Sequence, residues 1–431
     1  MKRAYVNGII LDGSKEMIPL EGKSILVKGT KICGVVESKE IPSGYKKIDL
    51  KGNYIMPGLI NMHVHLAGNG GSGKPQKKKS DASKTVQMLF SNPVTAEIAH
   101  QLVAKYAKIE LMSGVTTVRT VGGLRDLDTR VRDEIASGKR VGPRILASNE
   151  GISVPKGHMA GSVAIAANNI EEALRLVDKA TLQKTDLVKL MITGGVLDAK
   201  AKGVPGELKM DPEMVKAVCD YAHKKGFYVA AHVESPEGVR VALENGVDSI
   251  EHGAMPDQDT VQLYKDRHAF LTCTLSPALP FAKFRREVSG IDEMGEYNGK
   301  IVFEGCIAAA KSAIENDIPV ALGNDVGCPW VTQYDFWREL VYFHKLVGVS
   351  NAFALYTATL RNAQLAGIGD LTGSIEVGKD ADMIVTEENP LDDLCALRDV
   401  KMVVARGRLI AHLKVRRKRA IDQQLDPFLY E

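Results

Sequence analysis

The feature that most constrains this chain is the regular alternation of short apolar runs with helical patterns through its middle. Eight of the runs have the length and composition of β-strands, at 58–66, 115–121, 143–147, 187–193, 227–233, 247–252, 269–274 and 318–325. Helical patterns lie between them, for example at 171–180 and 212–225. Strands that alternate with helices favour βα units and a parallel sheet. We therefore predict an α/β fold in which eight βα units close a (β/α)8 TIM barrel.

The two ends of the chain have a different pattern, with short strands separated by glycine turns. Strand-like runs lie at 5–10, 24–28, 32–36 and 45–50, and again at 373–385 and 400–410. Neither end is long enough to bury a core alone, so we expect one small β-sandwich domain formed by residues 1–57 together with 372–431. The barrel would then cover 58–371. A chain of 431 residues accommodates a barrel of roughly 250 residues with insertions plus such a companion.

Composition excludes several classes of function. The chain has 56 basic and 53 acidic residues, so its net charge of +3 gives no reason to expect binding to nucleic acid or membranes. Its 6 cysteines are scattered without a C-x-x-C pair, which is not the pattern of a disulfide framework. The amino terminus lacks the apolar core of a signal peptide, and no apolar stretch approaches the roughly 18 residues of a membrane helix. We expect a cytoplasmic protein that acts on a small molecule.

The first chemical signal is His63-Val-His65, at the end of the first predicted barrel strand. Residues two apart on a strand point to the same face, so both imidazoles would enter the barrel together. The carboxyl ends of barrel strands are where active sites form, and imidazole is the commonest metal-binding side chain. The alternative is a pair of ordinary polar strand residues. Because the flanks are apolar, two unsatisfied histidines would be costly there.

Three further residues stand near the ends of apolar strands: His232, His252 and Asp325. Singly, each histidine is more often a hydrogen-bonded core residue than a ligand. Together with His63 and His65, however, they would all lie at the same end of the predicted barrel. Metal binding explains the whole set, whereas independent structural roles would have to coincide.

Lys189 lies in the middle of an apolar strand, where an unpaired ammonium is heavily penalised. Burial would lower its pKa and leave a reactive neutral amine. Reaction with carbon dioxide would give a carbamate, whose two oxygens can bridge two cations. The alternative is a lysine whose ammonium reaches solvent at one end of the strand. Because five other candidate ligands point the same way, we favour a modified Lys189.

At this point the chain resembles the amidohydrolase superfamily, from about Tyr5 to about Ile410. It is most similar to the branch of imidazolonepropionase-like proteins and metal-dependent dipeptidases and carboxypeptidases that act on Xaa-Pro or Xaa-Arg/Lys peptides. The motifs that carry the resemblance are Pro57-Gly58-Leu59-Ile60, His63-Val-His65, Val188-Lys-Leu-Met-Ile-Thr-Gly-Gly195, Ala231-His232, Ile250-Glu-His-Gly253, Gly323-Asn-Asp325 and Gly378-Lys-Asp-Ala-Asp-Met-Ile384.

The resemblance implies a role for each ligand. His63 and His65 would hold the more buried of two divalent metals, with zinc the expected ion, and His232 and His252 the more exposed one. Carboxylated Lys189 would bridge both. Asp325 would contact the buried metal and move the proton, which makes it the catalytic residue. The resemblance also implies a homo-oligomer.

Two more residues are candidates for substrate binding. His158, in a glycine-containing loop, resembles a family histidine near the substrate. Glu234 stands two residues after His232, where the peptidase-type pattern has a tyrosine that polarises the scissile carbonyl. Glu234 would hold a loop or orient a ligand, or else recognise a cationic substrate group or shuttle a proton. The departure from tyrosine weakens the assignment to peptidases.

The predicted function is cleavage of an amide or peptide-like C–N bond by a metal-activated hydroxide, with a dipeptide or an N-acyl amino acid as the expected substrate. The alternatives are a cyclic-amide hydrolase and a single-metal deaminase of the same superfamily, in which a glutamate beyond His232 would protonate the ring. Lys189 speaks against the deaminase, since one metal needs no bridging carbamate. A catalytically inactive scaffold would lack ligands, whereas all six positions are filled.

The stretch 67–93, after the first barrel strand, has no strong periodicity and contains Lys74, Lys77, Lys78 and Lys79. A solvated mobile loop is the simpler interpretation. A lid that attracts anionic substrates is the functional alternative.

Overall fold

The computed structural model describes residues 2–72 and 82–430. The chain divides into two compact units, the first formed by 1–62, 108–118 and 334–431 and the second by 63–107 and 119–333. The predicted boundaries at 57/58 and 371/372 stay a prediction. Lys74, Lys77, Lys78 and Lys79 lie outside the described residues.

The strands are numbered in chain order, and most are short. They are β1 (Lys2–Val6), β2 (Ile9–Ile10), β3 (Lys23–Lys28), β4 (Lys31–Glu37), β5 (Lys46–Asp49), β6 (Tyr54–Pro57), β7 (Leu59–Val64), β8 (Val115–Thr120), β9 (Arg144–Leu146), β10 (Gly151–Ser153), β11 (Ala164–Ala166), β12 (Leu187–Met191), β13 (Tyr228–Val233), β14 (Ser249–His252), β15 (Phe270–Cys273), β16 (Val320–Leu322), β17 (Met383–Thr386), β18 (Met402–Ala405) and β19 (Arg408–Ile410).

The α-helices are numbered in the same way. They are α1 (Ala82–Leu89), α2 (Pro93–Met112), α3 (Leu127–Ala136), α4 (Ile170–Leu182), α5 (Pro212–Lys224), α6 (Pro236–Glu244), α7 (Gln258–Arg267), α8 (Leu279–Lys283), α9 (Arg286–Ser289), α10 (Glu293–Glu315), α11 (Phe336–Tyr342), α12 (Asn351–Tyr356), α13 (Asn362–Leu365) and α14 (Arg419–Leu425). None of the described helices has both the length and the apolar character needed to cross a bilayer.

The first unit contains two β-sheets built from both ends of the chain. One has the order β4-β3-β1-β5, and the other has the order β19-β18-β17-β6-β2. In the second sheet, β6 from the amino-terminal part pairs antiparallel with β17 from the carboxyl-terminal part. Buried residues of both sheets, such as Ile25, Ile55 and Met383, belong to one apolar cluster.

The second unit contains a seven-stranded sheet in the order β11-β10-β12-β13-β14-β15-β16. Its neighbouring strands pair in parallel. Helices follow most of these strands, with α5 between β12 and β13, α6 between β13 and β14, and α7 between β14 and β15. Strands β7, β8 and β9 form a separate three-stranded sheet. The predicted α/β class with a parallel sheet is therefore confirmed.

All eight predicted barrel strands have a counterpart, in β7, β8, β9 and β12 to β16, each shorter than predicted. Helix α5 matches the predicted helix closely: Asp211 occupies the N-cap position before Pro212, although its side chain makes no capping hydrogen bond. Gly226, at φ +84°, follows the end of α5, where the left-handed conformation favours glycine.

Two expectations need correction, and two strands were missed. The single strand predicted at 5–10 is divided into β1 and β2, because Asn7 adopts a positive φ of 56° and interrupts the extended chain. The stretch 67–93 is not irregular throughout, because it contains α1. Strands β10 and β11 were not predicted.

Candidate metal centre

His63 and His65 lie at the end of β7, where their alternation on an extended chain turns both rings to the same side. Their Nε2 atoms are 3.5 and 3.3 Å from Oδ1 of Asp325. The Nδ1 atoms have other partners: Nδ1 of His63 is 2.6 Å from Oε2 of Glu251, and Nδ1 of His65 is 2.8 Å from the carbonyl oxygen of Gly122. A proton on each Nδ1 satisfies these contacts and leaves the Nε2 lone pairs directed toward Asp325.

His232 and His252 come from the seven-stranded sheet, near the ends of β13 and β14. The ring centroids of His232 and His252 are 4.7 Å apart, and those of His63 and His252 are also 4.7 Å apart. Nδ1 of His252 is 2.7 Å from Oγ1 of Thr274, so its Nε2 remains for the centre. For His232, Nε2 is 3.3 Å from the carbonyl oxygen of Gly194, which leaves Nδ1.

Burial keeps these imidazoles neutral. It lowers the pKa of His63 and His232 well below the usual histidine value, and it lowers the pKa of His252 to about 4. Neutral imidazole carries the lone pair that a metal ion requires.

Lys189 lies in the middle of β12 and is 1% exposed. Among the described residues, its Nζ has no hydrogen-bond partner. Burial lowers the pKa of this amine to about 8, although the charge of Glu251 opposes the shift. Buried polar atoms in proteins nearly always have a hydrogen-bond partner, so this exception indicates a chemical role for the amine. The predicted burial of Lys189 is thus confirmed.

Asp325 lies just beyond β16, and its carboxylate completes the cluster. Burial alone would raise the pKa of this carboxyl, but the adjacent rings of His63, His65 and His252 hold it below its usual range. Its other oxygen, Oδ2, accepts a hydrogen bond from Sγ of Cys328 at 3.2 Å. The carboxylate is therefore fixed on one side by the thiol, with Oδ1 facing the histidines.

A buried ion pair that sequence reasoning missed supports the histidines from behind. Arg119 on β8 donates to Oε1 of Glu251 at 2.7 Å and to Oγ1 of Thr272 at 3.1 Å. Ser249 also donates to Oε1 of Glu251, at 2.5 Å. Glu251 thereby holds the tautomer and orientation of His63. The signal was available, because Arg119 and Glu251, like Lys189, are charged residues inside apolar strands.

The two predicted substrate-binding residues lie at the same place. The ring of His158 stacks on that of His232, with centroids 4.0 Å apart and planes 7° from parallel. Its Nδ1 is 2.5 Å from Oδ2 of Asp198, a contact that sequence reasoning missed. Glu234 accepts a hydrogen bond from the backbone N–H of Val196 at 3.1 Å, and burial raises the pKa of its carboxyl to about 8.

The ligand atoms fall into two overlapping groups that suit metal ions. Within the part of the chain that the structure describes, His63, His252 and Asp325 form one group and His232, Glu234 and His252 form the other. In each group the candidate ligand atoms lie within 4.8 Å of one another. His65 adjoins the first group, because its Nε2 is 3.3 Å from Oδ1 of Asp325. Lys189, on β12, lines the same cavity.

All eight candidate site residues line one cavity of about 490 Å³ in the second unit. That volume is ordinary for a small-molecule site. Away from the ligands, its wall is mostly apolar, with contributions from Leu89, Met159, Phe281 and Val302. Helix α1, from the stretch that was predicted to be irregular, contributes Thr85, Val86 and Leu89.

Comparison with known families gives an independent result. A family model described as the amidohydrolase family matches residues 54–410, which include every candidate site residue.

Individual proteins are similar over nearly the whole chain. A candidate prolidase from Bifidobacterium longum has 35% sequence identity and a TM-score of 0.87, with 100% of this chain and 99% of that one covered. A Xaa-Pro dipeptidase with methionine bound in its active site has 28% identity and a TM-score of 0.83, with 96% and 100% covered. Ochratoxinase from Aspergillus niger is 24% identical over 432 residues, which span 92% of this chain and 83% of that protein.

Proposed function

Because the chain belongs to the amidohydrolase family and is a hydrolase of carbon–nitrogen bonds, we propose that it is a two-metal amidohydrolase that cleaves an amide or peptide-like bond. The observation that carries the proposal is the convergence on one cavity of four histidines, Asp325 and a buried lysine amine that has no hydrogen-bond partner among the described residues. Nitrogen and oxygen donors of this kind suit zinc.

The donor set fits two cations. We assign His63, His65 and Asp325 to the inner one and His232 and His252 to the outer one. Among the described residues, the Nζ of Lys189 has no hydrogen-bond partner. Carboxylation would convert this buried amine into a carbamate that can bind both cations, which supports a bridging role.

Carboxylation of Lys189 is chemically balanced without a further reagent. The neutral amine attacks the carbon of carbon dioxide, an N–C bond forms, and one C=O π bond breaks as its electron pair moves to oxygen. The amine proton passes to water. The carbamate then carries one negative charge and two oxygens. A lowered amine pKa of about 8 favours this reaction, since only the unprotonated amine is nucleophilic.

When bound, two divalent cations supply Lewis acidity, which activates water and polarises the scissile carbonyl. Asp325 is the residue that accepts the proton of that water and passes it to the leaving nitrogen. The Cys328 thiol holds the orientation of this carboxylate. Such proton transfer typically contributes 10²–10⁴-fold to the rate.

We propose a dipeptide or an N-acyl amino acid as the substrate. The apolar wall formed by Met159, Phe281 and Val302 suits an apolar side chain or acyl group. His158 and Glu234 would border the reacting group, with His158 oriented by Asp198. A single-metal deaminase is the second candidate, and the raised pKa of Glu234 favours it, because a protonated glutamate can act as a general acid.

The finer architecture is also a proposal. Two contacts support a closed eight-stranded barrel: the parallel bridge between Val64 and Val326, and the hydrogen bond from Asp186 N to Ala147 O at 2.8 Å. The first contact joins the end of β7 to the segment after β16, and the second joins the segment after β9 to the start of β12. A composite β-sandwich of 1–57 and 372–431, and assembly into a homo-oligomer, are what the family resemblance implies.

The two-metal centre is tested by metal content and intact mass. Freshly prepared wild-type protein should contain two metals per chain and carry the added mass of one carbon dioxide. Lys189→Ala should lose at least one metal, and short-chain carboxylic acids should partly restore it. Lys209→Ala is a matched control, because Lys209 is largely buried in the same unit but is paired with Glu207. One metal per chain and an unmodified Lys189 would contradict the proposal.

The reaction is tested by a substrate screen with zinc-loaded protein. N-acyl amino acids, dipeptides, cyclic amides and aminopurines or aminopyrimidines separate the hydrolase from the deaminase. We expect turnover of acyclic amides, with higher kcat/KM for apolar acyl groups or side chains. Release of ammonia from the ring amines, with no cleavage of amides, would favour the deaminase.

A further inference from the structure

The position of Glu234 relative to His232 and His252 carries an inference about the metal centre itself. One carboxylate oxygen of Glu234 and one ring nitrogen of each histidine lie within 4.8 Å of one another. The geometry points to Glu234 as a direct ligand of the outer cation, together with His232 and His252. This inference rests on the two-metal centre proposed above and changes the role of Glu234 from a substrate contact to part of the centre.

Local structure explains why the carboxylate faces the histidines. Glu234 follows β13 directly and is two residues beyond His232, so an extended chain turns both side chains to the same side. Its backbone N–H donates to Oγ1 of Thr193 at 3.1 Å, and its Oε2 accepts from the N–H of Val196 at 3.1 Å. Both partners come from the segment after β12. These two hydrogen bonds hold Glu234 in place beside the histidines.

The partners of Glu234 leave most of its hydrogen-bonding capacity unused. Among the described residues, its carboxylate accepts one hydrogen bond, from Val196, and forms no ion pair. A carboxylate has about four lone-pair sites, and those of Glu234 that Val196 does not use border the cavity that also contains His232 and His252. If Glu234 served the loop alone, a neutral side chain would satisfy Val196 equally well.

Charge balance at the centre points the same way. The four histidines are neutral donors, so two divalent cations would face Asp325 and the Lys189 carbamate as their anionic ligands. A third carboxylate at the outer position reduces the remaining positive charge. In the peptidase-type pattern this position is a tyrosine, which is neutral and directed at the substrate. Glu234 replaces that group with an anionic oxygen donor, the kind of ligand that zinc accepts alongside histidine.

The test measures metal affinity, which needs no substrate. Metal-free wild type, Glu234→Gln and Glu237→Gln are titrated with Zn²⁺ against a chromophoric competing chelator, and elemental analysis gives the stoichiometry. We expect wild type to bind two equivalents. Glu234→Gln should weaken one of them by about 10- to 100-fold or more, since even outer-sphere partners of a metal site contribute that much. Glu237→Gln makes the same carboxylate-to-amide change three residues further along the chain, at an exposed position on α6, and should leave both affinities unchanged.

A structural readout covers the case in which the glutamine variant misfolds. In crystals of zinc-loaded wild type, an oxygen of Glu234 should lie about 2.0–2.2 Å from the outer ion. Unchanged affinities in a folded Glu234→Gln, or a Glu234 separated from the ion by a water, would overturn the inference while leaving the two-metal centre intact. Binding of one equivalent by wild type would instead contradict the proposed function.

Discussion

Asp325 is the residue whose two proposed duties can be separated by one substitution. Asparagine retains an oxygen that can contact the inner cation but cannot accept a proton as the carboxylate does. Asp325→Asn should therefore keep most of its metal and lose at least about 10²–10⁴-fold in kcat. Metal analysis and kcat on the same preparation check this. Turnover near the wild-type rate would show that the proton is moved by another group.

The backbone at two ligand positions is itself unusual. His252 and Asp325 have φ values of 68° and 57°, in the left-handed region that residues other than glycine seldom adopt. Each lies where a strand gives way to a loop, and the turn directs its side chain into the cavity. Such conformations cost free energy and concentrate at functional sites. Sequence patterns do not reveal them, because neither position is a glycine.

At the level of elements, the close approach of β16 to β7 depends on Gly323. A Cβ at this position would lie 2.5 Å from the Cβ of His63. Immediately beyond it, Asp325 N donates to His63 O at 3.0 Å. We expect Gly323→Ala to push His63 out of position, to lower stability by about 1–3 kcal/mol, and to weaken metal binding. Thermal unfolding and zinc titration measure the two effects.

Gly34→Ala is the control for this substitution. Gly34 belongs to β4, whereas Gly323 directly follows β16, and a Cβ at Gly34 would meet its neighbours at 3.4 Å or more, which is ordinary contact. Metal binding should be unaffected by Gly34→Ala. If Gly323→Ala binds zinc as tightly as wild type, the packing of these two strands does not determine the position of His63.

The elements also show what the sequence can and cannot predict. The eight strands that were predicted for the barrel are recognisable because each is a compact apolar run bounded by turn residues. Strands β10 and β11 have three residues each, and their small side chains give no such run. These two strands form because the chain brings β10 beside β12 and β11 beside β10. In the same way, His63 and Lys189 are recognisable from residue type and position, whereas Asp198 and Cys328 act through loop conformations that no periodicity encodes.

At the scale of the whole molecule, the two tryptophans report on different units. Trp330 belongs to the second unit and Trp337 to the first, and both are buried. Ligand at 100 times its dissociation constant stabilises a fold by about 2.7 kcal/mol, and each kcal/mol shifts the midpoint by about 2–4 °C in a domain of 150–250 residues. Chelation should therefore lower the midpoint monitored by Trp330 by several degrees.

Single-tryptophan variants make that measurement. Trp337→Phe leaves Trp330 as the reporter, and Trp330→Phe leaves Trp337. The Trp337 midpoint should shift less, and added zinc should reverse both shifts. Equal shifts would mean that the units unfold as one, and no shift in either would mean that the cluster holds no metal tightly.

The proposed carboxylation of Lys189 would make the active state of the protein depend on the carbon dioxide dissolved in the buffer. The proposed carbamate would form and revert in equilibrium with dissolved inorganic carbon, and the metals that it would bridge would slow its loss. Metal-free protein kept in degassed buffer would therefore drift toward an inactive form over time. Reconstitution would then depend on the order of addition, with bicarbonate before or together with zinc recovering more activity than zinc alone. The measured activity would therefore depend on how long the sample was stored without metal and on the carbon dioxide content of the air above it.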